Sequence, residues 1–366
     1  MSFLIDRITL ENFRNHRSLD IGPLGGTTVV LGPNGAGKTN VLEAVDLVVS
    51  GRSFRNARLE DIVTWGEHRA CVTLRGLRDS TEVVIQERFD VNGDRRLSVD
   101  GLERKRRSEA LHGAHTVVFR PDDLELVKGP ADARRDALDA LGSRLSEVYA
   151  HTRREYHKVV RHRNALLREW KASSADLEVW TLQAIVLGAR LLVHRRRLVA
   201  RLFSNVRESH SRLSDGQELT VEYHDRCGLG ITDPAVELTV EGAREALTSE
   251  FAARSEDERR RATTVVGPHR DDVVLLLDGR EARRFASQGQ QRSIALAWRI
   301  GEVGTIEDVS GERPILLLDD VMSELDESRR NALQTCMSEA AQTILTTTDL
   351  SHVRAARGDA VVVELG

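Results

Sequence analysis

The segment from Gly32 to Thr39 constrains the fold more than any other part of the chain. It reads Gly-Pro-Asn-Gly-Ala-Gly-Lys-Thr, which matches the pattern G-x-x-x-x-G-K-[ST] in full. An apolar, strand-like run at residues 27–31 comes before it, and a helix-like run at residues 40–49 comes after it. A glycine-rich turn can arise by chance, but these flanks favour a phosphate-binding loop. The segment therefore predicts an α/β core that binds a nucleoside triphosphate.

The chemistry of phosphate binding explains why the loop contains glycine, lysine and threonine at these positions. Gly35 and Gly37 let the main chain curl so that its N–H groups face a phosphate. Lys38 can reach the β- and γ-phosphates, which makes it a candidate catalytic residue, and Thr39 can ligate Mg²⁺. ATP and Mg²⁺ are thus the predicted cofactors. The candidate nucleotide-binding residues of the loop are Gly32, Pro33, Asn34, Gly35, Ala36, Gly37, Lys38 and Thr39.

A second phosphate-related segment lies near the end of the chain. Four apolar residues at 315–318 read as a buried strand, and Asp319 and Asp320 follow directly. Asp319 is predicted to hold Mg²⁺ through water. Asp320 is the candidate general base and therefore a candidate catalytic residue. An ordinary helix cap after a strand is the alternative interpretation.

A third segment, Ser287-Gln-Gly-Gln290, opens a predicted helix. A serine at the N-cap with glycine two residues later leaves N–H groups that point outward, beside the positive end of the helix. This combination predicts an anion site at Ser287, Gly289 and Gln290, with a plain capped helix as the alternative. The position of the segment shortly before Asp319 favours the anion site.

Strand and helix signals divide the chain into three parts: residues 1–133, 134–256 and 257–366. The two outer parts show strand patterns with tight turns and alternating helices, so we expect them to build one α/β core. The predicted strands are 3–10, 27–31, 70–74, 82–89, 96–99, 263–266, 273–277, 315–318, 343–346 and 360–364, with turns at 91–94 and 100–101. The predicted helices of these parts are 40–49, 290–303 and 326–339.

The middle part has a helical period instead. Apolar residues recur at spacings of three and four from Leu138 to Trp170, and again from Leu182 to Val206, with a polar break at residues 171–176. Two helices, each about 45–55 Å long at 1.5 Å per residue, are predicted to form an antiparallel hairpin. This hairpin would be an arm inserted into the core.

Charge is distributed unevenly, although the net charge is only −4. Residues 151–212 carry fourteen Lys and Arg against five Asp and Glu, whereas residues 213–260 carry five against twelve. The basic stretch predicts a surface for an anion such as nucleic acid. A solvated, arginine-rich helix face is the alternative. Beyond the hairpin, phosphate contacts are expected from Arg52, Arg55 and residues 104–107.

The remaining composition excludes several classes of protein. Cys71, Cys227 and Cys336 lie far apart and form no CxxC pair, so neither a disulfide framework nor a zinc site is predicted. Asp6 and Arg7 interrupt the first apolar run, so no signal peptide is expected. No apolar stretch is expected to approach membrane-spanning length, which predicts a cytoplasmic protein without a membrane partner.

The three phosphate segments, in this order, resemble those of the ABC-ATPase superfamily. Further segments narrow the resemblance to the RecF family of bacterial DNA-repair proteins, and they run from the first strand to the last third of the chain. They are Ile8-Thr-Leu-Glu-Asn-Phe-Arg-Asn15, Gly51-Arg-Ser-Phe-Arg55, Pro121-Asp-Asp-Leu-Glu-Leu-Val-Lys-Gly129, Arg134-Arg135, Gly267-Pro-His-Arg-Asp-Asp272, Ser287-Gln-Gly-Gln-Gln-Arg292 and Leu318-Asp-Asp-Val-Met-Ser-Glu-Leu-Asp326.

The resemblance implies an ATPase head like that of SMC proteins, without their long coiled coil. By this resemblance, ATP closes a homodimer on DNA at gaps and junctions, and slow hydrolysis releases the DNA. RecR would be a partner, with RecA and RecO as indirect partners, in replication, recombinational repair and the SOS response at the nucleoid. Ser287, Gly289 and Gln290 would contact the γ-phosphate held by the other copy. Asp326 would face the dimer partner.

Two departures from the superfamily bear on catalysis. Asp320 stands where strong ATPases of the superfamily use Glu, and Thr346-Thr-Thr348 carries no switch histidine. Both predict slow hydrolysis, and together with the resemblance they imply a weak, DNA-stimulated ATPase that acts as a switch. For His269 and Arg270, a structural turn and a site role remain open alternatives.

The alternative function is the cytosolic ATPase subunit of an ABC transporter. Such a subunit shares the three phosphate motifs but needs no long helical hairpin. A small-molecule P-loop kinase would leave the segment at Ser287 unexplained.

Overall fold

Strands dominate both ends of the described chain, and helices dominate its middle. The computed structural model describes residues 3–55, 57–111, 113–169, 174–214, 216–351 and 360–366. The strands are β1 (Leu4–Phe13), β2 (His16–Ile21), β3 (Thr27–Leu31), β4 (Arg69–Arg78), β5 (Thr81–Asp90), β6 (Arg95–Val99), β7 (Leu102–Arg104), β8 (Thr116–Phe119), β9 (Leu219–His224), β10 (Ile231–Thr232), β11 (Asp272–Leu277), β12 (Arg280–Glu281), β13 (Ile315–Asp319), β14 (Gln342–Thr347) and β15 (Val361–Glu364). The helices are α1 (Lys38–Ser50), α2 (Leu59–Ile62), α3 (Arg107–Leu111), α4 (Glu125–Lys128), α5 (Ala131–Leu145), α6 (Glu147–Arg168), α7 (Ser174–Ser211), α8 (Val240–Arg261), α9 (Ala282–Phe285), α10 (Gln288–Ser310) and α11 (Glu327–Glu339).

The chain folds into two compact units. The first consists of Met1–Asp122 together with Ile306–Gly366, and the second is Asp123–Thr305. These limits differ from the predicted limits at 133/134 and 256/257, because they follow compactness, whereas the prediction grouped residues by motif. The three-part division by motif stays a prediction.

A five-stranded parallel sheet forms one layer of the first unit. Its strand order is β15-β3-β14-β13-β8, and every neighbouring pair is parallel. Ile315 to Leu318 of β13 are fully buried, as expected for a strand covered on both faces. Because all strands run the same way, the ends of β3 and β13 lie at one edge of the sheet. Asp319 and the phosphate loop therefore lie at the same edge.

A six-stranded antiparallel sheet forms the second layer of this unit, in the order β2-β1-β4-β5-β6-β7. Two of its hairpins, β5-β6 and β6-β7, follow the turn signals predicted at 91–94 and 100–101. The turn between β5 and β6 closes with the N–H of Asp90 donating to the carbonyl of Asp94 at 2.9 Å, and Gly93 adopts a φ of 95°. Strand β2 is absent from the predictions because its alternation is weak: only Ile21 of its six residues is buried.

Helix α1 lies between the two sheets. It contacts β8, β13 and β14 of the parallel sheet and also β1 and β4 of the antiparallel sheet. Ten of its thirteen residues are buried, which matches a helix covered on all sides. The helix ends where Gly51 takes the left-handed conformation at φ 82°. The phosphate loop is thus anchored to the most buried helix of the unit.

The second unit combines helices with a four-stranded sheet of order β10-β9-β11-β12. The prediction that residues 273–277 continue the core sheet is wrong, because β11 pairs along its whole length with β9. The predicted strand at 263–266 is absent as well. There, the side chain of Glu258 accepts a hydrogen bond from the N–H of Val265 at 2.8 Å. The main chain is therefore bonded to the end of α8 instead of to a neighbouring strand.

The predicted helical hairpin is present as α6 and α7, which pack against each other. The first predicted helix is divided in two, because Ser146 is extended (φ −149°) and its hydroxyl accepts a hydrogen bond from the N–H of Tyr149 at 3.2 Å. Helix α6 consequently has 22 residues, whereas α7 has 38. Trp170 and the start of the predicted polar break, residues 170–173, lie outside the described residues.

One helix of the described residues is apolar enough to meet a membrane-span criterion. Residues Ala175–Ser211 reach a mean hydropathy of 1.3 in their most apolar window, of which 39% is buried. The expectation that no apolar stretch approaches this length is therefore wrong, since the stretch from Leu177 to His194 contains only two charged residues, Glu178 and Arg190. Buried helices of globular folds meet the same criterion, and α7 packs against α6, α8 and β9.

Candidate functional site

The phosphate loop takes the conformation that its glycines permit. Gly35 and Gly37 have φ values of 87° and 92°, a region in which residues with a Cβ are strained. At Gly37 a Cβ would also lie 2.3 Å from Nε2 of His16 and 2.6 Å from Oδ1 of Asn15. Both the backbone and the packing therefore require glycine at this position.

The turn between β1 and β2 supports the loop from outside. Asn15 donates to the carbonyl of Gly35 at 3.4 Å, and Nε2 of His16 lies 3.2 Å from the carbonyl of Gly37. Sequence reasoning assigned no site role to these two side chains. The one sequence signal was that Asn15 ends the segment Ile8–Asn15; His16 lies just outside that segment.

Lys38 is folded into the loop that precedes it. Its Nζ donates to the carbonyls of Gly32 at 2.8 Å and Pro33 at 2.9 Å, and the side chain is almost fully buried. The ammonium group thus lies inside the curl of the main chain. A cation in this position compensates the charge of a phosphate bound to the surrounding N–H groups.

Thr39 and Asp319 meet although they come from opposite ends of the sequence. The Thr39 hydroxyl donates to Oδ1 of Asp319 at 2.7 Å, and the Thr346 hydroxyl donates to the same oxygen at 3.0 Å. Three elements therefore converge on one carboxylate oxygen: the start of α1, the end of β13 and the end of β14. The sequence predicted the pair, but it did not predict Thr346.

Asp320 adopts a left-handed backbone conformation, with a φ of 51°. Its N–H donates to the Thr346 hydroxyl at 3.0 Å, so that Thr346 connects the two aspartates. Left-handed conformations of non-glycine residues cost energy and concentrate at functional sites. The side chain lines the same pocket as the phosphate loop, which has a volume of about 370 Å³. The pocket is lined by Asn15, Asn34, Gly35, Gly37, Lys38, Thr39, Asn40, Arg55, Asp319, Asp320 and Thr346.

A buried carboxylate in α1 organises the basic side of this pocket. Glu43 is fully buried and pairs with Arg14 through two hydrogen bonds of 2.6 and 3.0 Å. Arg55 lies 3.6 Å from the same carboxylate and donates to Asn40 at 3.0 Å. The paired guanidinium of Arg55 is thereby held at the rim of the pocket. A glutamate within the apolar run of α1 was the sequence signal that could have revealed this cluster.

The oxygen ligands at the pocket suit Mg²⁺, which prefers hydroxyl, carboxylate, phosphate and water oxygens. Thr39 and Asp319 supply two such groups. Within the described residues, no group of three or more His, Cys, Asp or Glu could hold a metal ion. The residues therefore fit an ion completed by phosphate and water oxygens, and not one enclosed by protein ligands alone.

The segment at Ser287 begins α10 in the second unit. The N–H of Ser287 donates to Oε1 of Gln290 at 2.7 Å, and the N–H of Gln290 donates to the Ser287 hydroxyl at 3.2 Å. This reciprocal pair is a capping box. Ser287 is solvent-exposed, as is Phe285 at the end of α9, and Gly289 lies in the first turn of α10. The segment thus presents the positive end of a 23-residue helix at the surface.

Asp326 caps helix α11. Its Oδ1 accepts a hydrogen bond from the N–H of Arg329 at 3.0 Å, and its carboxylate also pairs with the Arg329 side chain. Its side chain remains about half exposed. A structural role is therefore evident, and the contact with a dimer partner stays a prediction.

His269 and Arg270 belong to a polar network within the second unit. Nδ1 of His269 lies 2.8 Å from the Tyr156 hydroxyl, and Nε2 lies 3.1 Å from the carbonyl of Thr264. Arg270 donates to the same Thr264 carbonyl at 3.1 and 3.2 Å. Burial lowers the pKa of His269 to about 3, so the ring is neutral at physiological pH. These contacts favour the structural alternative for both residues.

Arg195 lies at the centre of this network and is 1% exposed. It contacts Asp139 at 3.0 Å and Asp271 at 3.8 Å. Burial would raise the pKa of Asp139, but Arg195 and Arg153 hold it below its usual value. Burial raises the pKa of Asp271 to about 6 in spite of Arg195. The paired charges connect α5, α7 and the turn after Pro268.

The predicted DNA-contacting arginines differ in their surroundings. Arg107 is directed inward, where it donates to Glu87 at 2.7 Å and to the carbonyl of Val48. It therefore belongs to the interior of the first unit. Arg104 and Lys105 are exposed. Arg163 and Arg195 of the hairpin are buried, which reduces the basic charge available at its surface.

Helix α6 nevertheless presents basic side chains along one face, which we call the α6 basic stripe. It consists of His151, Arg154, Lys158, Arg161 and Arg168, all of which are exposed. Their spacing of three, four, three and seven residues places them on one side of the helix. Arg154 makes an intrahelical contact with His151 at 3.1 Å.

Comparison with known proteins gives consistent results over nearly the full chain. A model of the RecF/RecN/SMC N-terminal domain matches residues 4–364. The DNA replication and repair protein RecF of Symbiobacterium thermophilum is 37% identical over 350 residues, which cover 95% of this chain and 92% of that protein. The RecF protein of Heliobacterium modesticaldum is 39% identical over 352 residues, covering 94% and 92%.

Solved structures agree with these sequence relatives. A structure of the recombination mediator protein RecF with ATPrS, from the RecFOR pathway, has a TM-score of 0.89 and 30% identity, and the match covers 99% of this chain and 96% of that one. The Smc head domain of Pyrococcus furiosus has a TM-score of 0.53 at 16% identity, covering 100% and 94%. The second likeness shows a shared fold alone.

Proposed function

The chain belongs to the RecF family of DNA replication and repair proteins, and from this premise we propose that it is an ATP-dependent DNA clamp. In this proposal ATP closes two copies of the chain on DNA at gaps and junctions, and slow hydrolysis opens them again. The protein would be cytoplasmic and associated with the nucleoid.

The hydrogen bond between Thr39 and Asp319 carries the proposal for ATP and Mg²⁺. It places a hydroxyl and a carboxylate side by side next to the phosphate loop, where bound Mg²⁺ would neutralise phosphate charge. Lys38 would exchange the carbonyls of Gly32 and Pro33 for phosphate oxygens. Thr346 orients Asp319 and the main chain of Asp320, so that Asp320 can accept a proton from a water molecule.

The exposed capping box at Ser287 supports the dimer. The N–H groups of Ser287 and Gln290 are paired within the box, so a γ-phosphate that another copy holds would approach the positive end of α10 at this exposed surface. Asp326 would lie beside the same partner. A change from a mostly open to a mostly closed dimer requires about 5.5 kcal/mol of differential binding. Two triphosphates, each contacted by both copies, are a sufficient source of that free energy.

Membership of the RecF family supports the proposed partners and pathway. The related RecF structure is described as a recombination mediator of the RecFOR pathway. We extend this to RecR as a direct partner of the chain, to RecO and RecA as indirect partners, and to a requirement in SOS induction. The transporter alternative is not favoured, because relatives that cover 95% of the chain are DNA replication and repair proteins.

Two substitutions test the clamp. Lys38→Met removes the cation inside the phosphate loop, so we expect ATP binding to fall below detection. Ser287→Arg places a bulky cation at the exposed cap, so we expect unchanged ATP affinity but no ATP-dependent dimer. Sedimentation and gel shifts on gapped DNA, each with and without ATP, measure these outcomes.

The two variants distinguish loss of ATP binding from loss of ATP-dependent dimerisation. ATP-dependent dimers of Ser287→Arg would contradict the assignment of the signature segment. Full ATP affinity in Lys38→Met would contradict the nucleotide site itself. Copurification of the wild-type chain with a membrane permease, in place of gapped DNA, would support the transporter alternative.

A further inference from the structure

Trp65 is the most exposed large hydrophobic side chain among the described residues, at 97% of its maximum. The other described tryptophans differ: Trp298 is fully buried, and Trp180 stacks on His162 with ring centroids 4.7 Å apart. An indole buries a large apolar area when it finds a partner. Its exposure therefore leaves both faces of the ring accessible to a ligand.

The main chain around Trp65 is held firmly. The N–H of Thr64 donates to the carbonyl of Asn12 at 2.8 Å, and its hydroxyl donates to the carbonyl of Arg14 at 2.8 Å. The N–H of Glu67 closes a tight turn onto Thr64 at 3.0 Å, with Gly66 at a φ of 87°. The segment that leads to Asn15 of the phosphate pocket therefore also positions the tryptophan.

Trp65 lines a second pocket that adjoins the phosphate pocket. This pocket has a volume of about 940 Å³, and Asn15, Asn40 and Arg55 line both pockets. Glu60 and Asp61 add carboxylate oxygens to its wall, and Val63 adds apolar surface. Apolar surface combined with a few polar groups is typical of pockets for small organic ligands.

A nucleotide places its nucleoside directly beside its phosphates. When the triphosphate occupies the phosphate loop, the adjoining pocket is where the nucleoside would lie. We propose that Trp65 is the stacking surface for the purine base of the bound nucleotide. Glu60 and Asp61 each accept one hydrogen bond from Arg58, and their remaining carboxylate oxygens would accept hydroxyl or amino groups of the nucleoside. This inference rests on the proposed ATP site and adds the residue that binds its base.

Comparison of ATP with inorganic tripolyphosphate tests the stacking contact, because tripolyphosphate has the same phosphates and no base. Stacking on an aromatic side chain contributes about 1–3 kcal/mol per base. We therefore expect Trp65→Ala to weaken ATP binding roughly tenfold to a hundredfold, with unchanged affinity for tripolyphosphate. Trp65→Phe should restore most of the ATP affinity. ATP, and not tripolyphosphate, should quench the fluorescence of the wild-type chain, and Trp65→Phe should lose this quenching.

Trp180→Ala, a tryptophan substitution in the second unit, is the matched control and should bind ATP like the wild type. Equal ATP affinity of Trp65→Ala and the wild type would overturn the inference and leave the ATP site intact. An equal loss for ATP and tripolyphosphate would overturn it as well, because Trp65 would then only support the loop. If Trp65→Ala lost affinity for DNA but kept its affinity for ATP, the ring would contact DNA and the inference would be wrong. Failure of the wild type to bind ATP would instead contradict the proposed function.

Discussion

At the scale of single residues, the contact between Thr39 and Asp319 joins positions 280 apart in the sequence. Both residue types were predictable, because each follows a recognisable local pattern. Thr346 was not predictable, since a threonine at the end of a strand has no distinguishing signal. Glu43 had a signal, its place within the apolar run of α1, but its pairing with Arg14 exists only once α1 packs against the first strands.

Gly37 allows a sharp prediction at this scale. Gly37→Ala adds a Cβ that would overlap His16 and that the φ of 92° does not accommodate. We expect ATP affinity to fall at least about tenfold, because strain of more than 1.4 kcal/mol must be relieved by moving the loop. Isothermal titration with ATP and Mg²⁺ measures the change.

Gly26→Ala is the matched control for this variant. A Cβ at Gly26 meets no atom within 4 Å, so its ATP affinity should equal that of the wild type. Wild-type affinity in Gly37→Ala would show that the loop adapts at little cost.

At the scale of elements, the sequence predicts correctly those helices and strands whose hydrophobic pattern lies within their own residues. It fails where polar contacts determine the structure. Strand β13, helix α1 and the hairpin of α6 and α7 carry their pattern within their own residues. The break at Ser146 depends on the cap that its own hydroxyl forms, and the irregular segment after Arg261 depends on the side chain of Glu258. Hydrophobic period alone extends a helix through Ser146 and predicts a strand at 263–266, where polar contacts determine the structure.

The polar network around His269 predicts how acid affects the second unit. The pKa of His269 is about 3 in the folded chain and about 6.5 in the unfolded chain. The unfolded state therefore binds more protons below pH 6.5. The contribution of neutral His269 to the unfolding free energy is therefore fully present above pH 6.5. It is lost as the pH falls toward 3, by about 1.4 kcal/mol per pH unit. His157, with a pKa of about 4, acts in the same direction, whereas Asp271 opposes it between about pH 6 and 4.

Comparison with a variant isolates the contribution of His269. Between pH 7 and pH 5, we expect the wild type to lose about 2 kcal/mol more unfolding free energy than His269→Gln. Urea unfolding followed by circular dichroism measures both losses. His151→Gln replaces an exposed histidine and should behave like the wild type. Equal losses in all three proteins would refute a buried neutral His269.

At the scale of the whole molecule, net charge does not reveal the DNA surface, because the chain carries −4 overall. The α6 basic stripe predicts where phosphate contacts lie. Replacing Arg154, Lys158 and Arg161 by Glu should weaken DNA binding for all sequences alike. It should also reduce the slope of log affinity against log salt by about 3, because each lost phosphate contact removes about 0.9.

A second set of three arginines provides the control for this experiment. Arg259, Arg260 and Arg261 are exposed at the end of α8, and their replacement by Glu changes the net charge equally. Fluorescence anisotropy of labelled gapped DNA at several salt concentrations measures both slopes. Identical slopes for the two variants would show that total charge, and not the α6 basic stripe, determines binding.

The order of strands in the parallel sheet has a consequence for synthesis on the ribosome. Strands β3 and β8 are made early, but β13 and β14, which lie between them, are made only after residue 306. The second unit is continuous in sequence and can fold while the rest of the chain is still being made. The sheet that presents the phosphate loop therefore forms after the second unit, and a nascent chain acquires its nucleotide site only once β13 and β14 have been synthesised.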